Sequence, residues 1–244
     1  MCYRYSVPGP DVVKDTFQVK LGTKFEKRYH VGAFENIKLP VITNENPKQV
    51  DLFNWGLIPF WVKDEKTAND IKERTVNARS ETIFEKPAFR GSAGRKHCIV
   101  VADGFFEWRY YQGINYPYYI KLKNRDAFAM AGLWDFWTNK KTEEKVYSYT
   151  IITTEANPLM AKIHNKKKRM PAILNKEDEI KWISSNIDKN TAMSILRPFD
   201  ETKMEAYTIS KLITAKGQNP NVPEVIKPFK YNNLEPLPSQ TSLF

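Results

Sequence analysis

From residue 98 onward, the chain consists of short apolar runs that are separated by turn residues. Residues 98–102 are closed by Asp103-Gly104, which predicts a buried strand that ends in a turn. Three further runs have the length and spacing of consecutive antiparallel strands: 116–122, 127–134 and 146–154. Strands do not alternate regularly with helices, so the sequence gives no support for a parallel, doubly wound sheet. The sequence therefore predicts one α+β domain that is mostly β, with helices inserted.

Helical patterns flank these runs. Near the N-terminus, Asp11 after Pro10 predicts the N-cap of a short helix over residues 12–20, which ends near Gly22. Two later helices and one late strand are also predicted: residues 177–184, 189–196 and 206–210.

Proline marks the end of the predicted domain. Beyond Gly217, five prolines interrupt any regular element: Pro220, Pro223, Pro228, Pro236 and Pro238. We therefore expect a domain over residues 1–216 and an extended arm over residues 217–244. The arm is expected to lie over the domain at first and to end in a loose tail.

The charge of the chain indicates a class of partner. It has 38 Lys and Arg against 28 Asp and Glu, which gives a net charge of +10. This charge favours binding to a polyanion, of which nucleic acid is the foremost candidate. A basic protein without such a partner is the alternative. The apolar runs are too short to span a membrane, and the first ten residues lack the apolar stretch of a signal peptide. The sequence predicts a cytoplasmic monomer.

The cysteines and histidines do not form a metal-binding pattern. Cys2 and Cys98 make a poor disulfide framework for a chain of this size. Together with His30, His97 and His164, they match no spacing typical of zinc ligands. The adjacent His97 and Cys98 would point to opposite faces of a strand. We predict neither a metal nor a cofactor.

Cys2 can acquire unusual chemistry from its position. Removal of Met1 would leave a free α-amine, with a pKa of about 8, beside a thiol with a pKa of about 8.5. Such an aminothiol condenses with an aldehyde to a Schiff base, and the sulfur then closes a five-membered thiazolidine ring. Ring closure is intramolecular and therefore strongly favoured. The position alone also fits an incidental residue after the initiator methionine.

Seven short segments place polar or aromatic residues in a recognisable order: Met1-Cys2 and residues 55–61, 77–82, 102–108, 153–157, 163–164 and 169–171. We expect residues 77–82 to open a helix and residues 102–108 to end a strand in a turn. Taken together, the segments resemble the signature of the SOS-response-associated peptidase family over residues 2–210.

The resemblance implies a fold and an activity. The fold would be a twisted, mostly antiparallel, β-barrel-like core with flanking helices and a basic groove that leads to Cys2. The activity would be covalent crosslinking to abasic sites in single-stranded DNA, with removal of the protein's own Met1 and an abasic-site lyase activity as further expectations. Two other functions remain open: a cysteine peptidase that uses Cys2 and His164, and a DNA-binding module without chemistry.

The resemblance also implies roles for four residues. Cys2 matches the family's nucleophile, and Asn77 matches the asparagine that holds the N-terminal amine. Glu107 matches the acid that donates a proton to open the deoxyribose ring, and His164 matches the histidine that moves protons. Without the resemblance, Glu107 would read as a solvated rim residue and His164 as a structural histidine.

DNA contacts are implied at further positions. Arg4 and Arg79 match arginines that bind phosphates, and Trp61 and Trp108 match aromatic residues beside the bases. Trp61 could instead pack in the core, and Arg79 could pair within the fold. The loop after His164 is longer than the family's shortest form, and we expect its basic residues to contact phosphates: Lys166, Lys167, Lys168 and Arg169. Tyr3 stands where many members of the family have Gly.

The last five residues resemble a second known motif. Residues 240–244 are similar to the peptide Gln-Leu-Ser/Asp-Leu-Phe, by which many bacterial proteins dock on the replication sliding clamp, and they depart from it at Thr241. The similarity predicts that Gln240, Leu243 and Phe244 contact a clamp, with Leu243 and Phe244 in an apolar groove. The alternatives are a chance match and a tip that folds back on the domain.

Overall fold

The backbone of the computed structural model is described over residues 2–184, 186–235 and 237, and these residues form thirteen strands and five α-helices. The strands, numbered in chain order, are β1 (Arg4–Val7), β2 (Lys20–Leu21), β3 (Arg28–Gly32), β4 (Lys38–Thr43), β5 (Gln49–Trp55), β6 (Asn77–Arg79), β7 (His97–Ala102), β8 (Gly104–Tyr111), β9 (Ile114–Leu122), β10 (Phe128–Thr138), β11 (Lys145–Glu155), β12 (Arg169–Pro171) and β13 (Met204–Thr208). The helices are α1 (Pro10–Phe17), α2 (Glu65–Arg74), α3 (Pro158–Ile163), α4 (Lys176–Trp182) and α5 (Lys189–Ile195).

Five of the strands close into a barrel. β7 pairs antiparallel with β10 and β4, β10 pairs with β11, and β4 pairs with β5. A parallel pairing of β5 with β11, at Asn54–Trp55 against Ser148–Tyr149, joins the two ends of this series. Closure leaves the barrel strands without free edges. The mostly β, α+β fold that the sequence predicts is confirmed, and so is the antiparallel, barrel-like core that the resemblance implies.

A second sheet lies beside the barrel in the order β13-β9-β8-β1-β3. β8 and β9 form a hairpin whose two turn residues, Gln112 and Gly113, both have positive φ angles (47° and 82°), as a type I′ turn requires. β1 pairs antiparallel with β8, with Tyr5 opposite Phe105. Continuing that register by two residues brings Glu107 opposite residue 3. The sheet therefore carries the N-terminus to the middle of β8.

The first helix corrects the sequence prediction. It begins at Pro10 with Gly9 as its N-cap, so that Asp11 lies in the first turn, where its carboxylate faces the positive end of the helix dipole. It ends at Phe17, because Gln18 adopts a left-handed conformation with φ 53°. Residues 20–21 then form β2, and Gly22 is not the helix stop.

Two site segments also differ from their predicted structure. Residues 77–79 form strand β6, parallel to β11, and only residues 80–82 turn into a 3₁₀ helix. Pairing with β11 explains the strand, because it satisfies backbone groups of the buried Ala78 that a helix would leave facing the barrel. Glu107 lies within β8 and not in a turn, since β8 continues to Tyr111 in register with β9.

The remaining predicted elements are confirmed with shifted ends. The three predicted strands between 116 and 154 correspond to β9, β10 and β11, and the late strand corresponds to β13. The two later helices correspond to α4 and α5. The largest shift is at the end of β10, which runs to Thr138 because its ladder with β11 continues as far as Lys145.

The described part of the C-terminal segment lies against the five-stranded sheet. The backbone N–H of Phe229 donates to the carbonyl of Thr208 at 2.8 Å, and Leu234 and Leu237 are buried in the main core. Gln240, Leu243 and Phe244 lie outside the described residues, so clamp docking stays a prediction. No helix in the described residues is long and apolar enough to cross a membrane.

Candidate active site

Four residues from distant parts of the chain meet at the middle of β8. Cys2 precedes β1, Asn77 begins β6, Glu107 lies in β8, and His164 follows the last turn of α3. The side-chain amide of Asn77 donates to the carbonyl of Cys2 at 2.8 Å. Nδ1 of His164 lies 3.5 Å from Oε1 of Glu107. Because the charge of Glu107 also acts on the Cys2 thiol, the two pairs belong to one site.

Asn77 has an acceptor to spare. Its Nδ2 is engaged by Cys2, which fixes the orientation of the amide, and its Oδ1 is buried without a hydrogen-bond partner among the described residues. An unsatisfied buried acceptor costs about 1–3 kcal/mol, so a site that keeps one holds it ready for a donor.

The Cys2 side chain is fully buried, and its Sγ contacts the carbonyl of Arg4 at 3.5 Å. Burial, with a further contribution from the negative charge of Glu107, raises the pKa of the thiol to about 12. The sulfur is therefore a protonated thiol at neutral pH, and it needs a base before it can act as a nucleophile.

Glu107 is only 4% exposed, so the alternative of a solvated rim residue does not hold. Burial raises the pKa of its carboxyl group to about 7. Near neutral pH, the protonated and ionised forms are therefore present in similar amounts. A carboxyl group in this state is able to donate a proton.

His164 is held as a neutral base. Burial lowers the pKa of its imidazole to about 4. Nδ1 lies 2.9 Å from the carbonyl oxygen of Arg169, which can only accept, so Nδ1 carries the hydrogen. This tautomer leaves a lone pair on Nε2 to accept a proton from a reacting group.

Comparisons with known proteins identify the family of this chain. A profile of the SOS response associated peptidase (SRAP) family matches residues 1–216. The chain belongs to the SRAP family. Abasic site processing protein YoqW of Bacillus subtilis is 40% identical over 206 residues, which cover 84% of this chain and 87% of YoqW. Abasic site processing protein HMCES of Rattus norvegicus is 32% identical over 203 residues, which cover 71% of this chain and 55% of HMCES.

Solved structures share the SRAP fold of this chain. A protein from Bacteroides thetaiotaomicron superposes with a TM-score of 0.87 at 39% identity, covering 94% of this chain and all of that protein (100%). A protein from Bordetella bronchiseptica superposes with a TM-score of 0.75 at 25% identity, covering 86% of this chain and 100% of that protein.

The lysine-rich loop of this SRAP protein, residues 165–168, is hydrogen-bonded to β8. The side chain of Asn165 donates to the carbonyl of Tyr110 at 2.7 Å and accepts from its N–H at 3.1 Å. Nζ of Lys166 lies 3.6 Å from the centroid of the Tyr110 ring. These contacts tie the residue after His164 to the strand that carries Glu107. Sequence reasoning missed Asn165, because its partner is 55 residues away and no local pattern indicates the pairing.

Arg169 and Arg79 have different environments in the SRAP site. The guanidinium of Arg169 forms an ion pair with Glu81 and donates to the carbonyl of Thr153 at 2.6 Å. It therefore bridges the segments on either side of β11. Arg79 is exposed at the end of β6, and its side chain has no ion pair among the described residues. Lys167 and Lys168 are exposed as well.

The aromatic residues of the SRAP signature separate into two groups. Trp108 lies beside the site, with the Arg4 guanidinium 5.1 Å from its ring centroid. Trp55 is core, and its indole N–H donates to the carbonyl of Val76 at 2.8 Å. Trp61 is 45% exposed next to the exposed Phe60, so it is not a core residue. None of the described contacts links Trp61 to Cys2 or its neighbours.

Proposed function

We propose that this SRAP protein processes abasic sites in DNA by capturing them covalently in single strands, through a thiazolidine formed by Cys2 after removal of Met1. Relatives of the family carry the name of abasic site processing proteins, which supports the substrate. The net charge of +10 supports a polyanionic partner.

The observation that carries the proposal is the surroundings of residue 2. The amide of Asn77 holds the backbone of Cys2 and keeps a buried acceptor, while an acid and a neutral base meet at the same place. An N-terminal aminothiol needs these three functions. It needs an acceptor to orient the amine, a proton donor for the sugar and an acceptor for the thiol proton.

The proposed steps balance in atoms and charge. Protonated Glu107 gives its proton to the ring oxygen O4′ as the C1′–O4′ bond breaks, and the C1′ hydroxyl gives its proton to solvent water, which returns a proton to Glu107 and leaves an aldehyde. The α-amine adds to C1′, and loss of one water gives a Schiff base. The thiol then adds to C1′, its proton passes by way of Nε2 of His164 to the ring nitrogen, and the thiazolidine closes. The net reaction releases one water.

The peptidase alternative has less support. A cysteine peptidase works with a thiolate beside an imidazolium ion, which requires a lowered thiol pKa. Here burial raises the pKa of Cys2 to about 12 and lowers the pKa of His164 to about 4, so the ion pair is disfavoured. Amine chemistry, in which the thiol acts second, fits a protonated thiol better.

Intact mass tests the proposed function directly. Processed protein incubated with an abasic single-stranded oligonucleotide should gain the mass of the oligonucleotide minus one water. Cys2→Ser and Cys2→Ala both keep the amine and lack the thiol. Each should give only a Schiff base that hydrolyses. A wild-type protein that binds the strand but gains no mass would leave the DNA-binding module as its function.

The salt dependence of binding provides a separate prediction for Arg79. Because Arg79 is exposed and free of ion pairs among the described residues, we expect it to neutralise one phosphate. For a single strand, Arg79→Gln should then make the plot of log K for binding against log salt concentration less steep by about 0.7. Fluorescence anisotropy at several salt concentrations measures the slope, with Lys14→Gln on α1 as the control. An unchanged slope for Arg79→Gln would remove this residue from the phosphate contacts.

A further inference from the structure

An exposed aromatic ring stacks on the residue that follows Cys2. Phe34, which follows β3, is 68% exposed, a large fraction for a phenylalanine. Its ring stacks on Tyr3, with centroids 6.0 Å apart and an interplanar angle of 26°. Tyr3 is the residue after Cys2, and its carbonyl accepts from the N–H of Ala33 at 2.9 Å, which fixes the two segments together.

Of the two rings, that of Tyr3 lies closer to the candidate active site. It is half-buried, and burial together with the charge of Glu107 raises the pKa of its phenol. The next residue, Arg4, begins β1 and has its guanidinium over the ring of Trp108. Two separate aromatic surfaces therefore flank the segment that carries the nucleophile, and one of them is Tyr3–Phe34.

We propose that Tyr3 and Phe34 form a platform on which the nucleobase next to the abasic nucleotide stacks. The inference rests on the proposed function, because it takes the occupant to be single-stranded DNA. An abasic nucleotide has no base of its own, so stacking energy in the site must come from its neighbours. An exposed ring beside a residue that is already stacked offers such a neighbour a flat apolar face, whichever base it carries.

The charges around the platform are compatible with a nucleic acid strand. Arg4 is within the influence of both Glu35 and Glu107 and stays a cation at neutral pH. The carboxylate of Glu35 accepts from the N–H of Gly32 at 2.8 Å and lies 3.5 Å from the ring of His30. The negative charge of Glu35 is therefore partly compensated by groups of β3. The backbone phosphates would follow the arginines while a base lies over Phe34.

Omitting single bases tests the platform. The test uses processed full-length protein and a single strand with a tetrahydrofuran residue, an abasic analogue that cannot form the crosslink. Two further strands also lack the base on the 5′ or on the 3′ side of the analogue. Phe34→Ala should weaken binding to the first strand about tenfold. It should have no effect on one of the two base-omitted strands, because the stacking partner is absent there.

Variants keep the result interpretable. Phe34→Trp retains a ring and should bind the first strand at least as tightly as wild type, and Tyr3→Phe should also retain binding. Ile180→Ala, which removes a comparably exposed apolar side chain from α4, should change none of the three affinities. Equal losses for Phe34→Ala on all three strands, or no loss on any, would overturn the platform. Failure of the proposed function would look different, since wild-type protein would then form no adduct with a true abasic strand.

Discussion

A variant that keeps one residue in front of Cys2 is expected to form no thiazolidine, so that its rate of stable adduct formation falls to the background, about a thousandfold or more below that of the processed protein. The blocked α-nitrogen is an amide, which cannot form the Schiff base. The remaining thiol is buried and has its pKa raised to about 12, so it is a poor nucleophile on its own. Its addition to an aldehyde would in any case give only a reversible product.

The measurement is the rate of the denaturation-resistant adduct on an abasic single strand, with intact mass to establish the N-terminus of each sample. The matched control is the same variant after enzymatic removal of the extra residue, which should regain the wild-type rate. Binding to a strand with an abasic analogue should change much less than the rate. A blocked variant that crosslinks as fast as wild type would refute the amine mechanism.

Glu107→Gln is expected to slow crosslinking to a closed-ring abasic site by about 10²–10⁴-fold, the usual contribution of a positioned general acid. Gln fills nearly the same buried volume and cannot donate the proton to O4′. Reaction with a simple open-chain aldehyde needs no ring opening and should be spared. His164→Ala, which removes the base for the thiol proton, should slow both reactions. Equal losses on both substrates for Glu107→Gln would assign Glu107 to a later step.

The pH dependence of the two reactions should also separate the role of Glu107 in ring opening from the later steps. The pKa of Glu107 is raised to about 7, so its protonated fraction falls as the pH rises through 7. The α-amine becomes more reactive over the same range and speeds both reactions. The ratio of the closed-ring rate to the open-chain rate should therefore decrease above pH 7 for wild type. In Glu107→Gln this ratio should be low and independent of pH.

The local patterns of the sequence predicted five of the strands (β7, β9, β10, β11 and β13) and three of the helices, but neither the strands β1 to β6 nor how the strands join. The run at 98–102 is apolar on every residue because β7 is buried on both faces, and such a run is visible in the sequence. The closure of the barrel depends on a parallel pairing between β5 and β11, about ninety residues apart, which leaves no periodic trace. Residues 77–79 were predicted as helix for the same reason, because their strand partner is β11.

Cys2, Asn77, Glu107 and His164 could be identified from the sequence, because each stands in a short ordered segment that resembles a family signature. Their chemical states could not be read there. The raised pKa of Glu107 and the lowered pKa of His164 arise from burial, which depends on segments packed around them from across the chain.

Side-chain partners were likewise decided by the tertiary structure. Lys166 to Arg169 look alike in the sequence, as one run of basic residues. In the fold, Arg169 pairs with Glu81, whereas all three lysines are exposed, and Lys166 has its ammonium over the ring of Tyr110. The sequence by itself determined which chemical groups this protein has and where five of its strands lie, from β7 to β13. Only the tertiary structure decided which groups lose water and which charges are paired, because both depend on residues that are distant in the chain and adjacent in space.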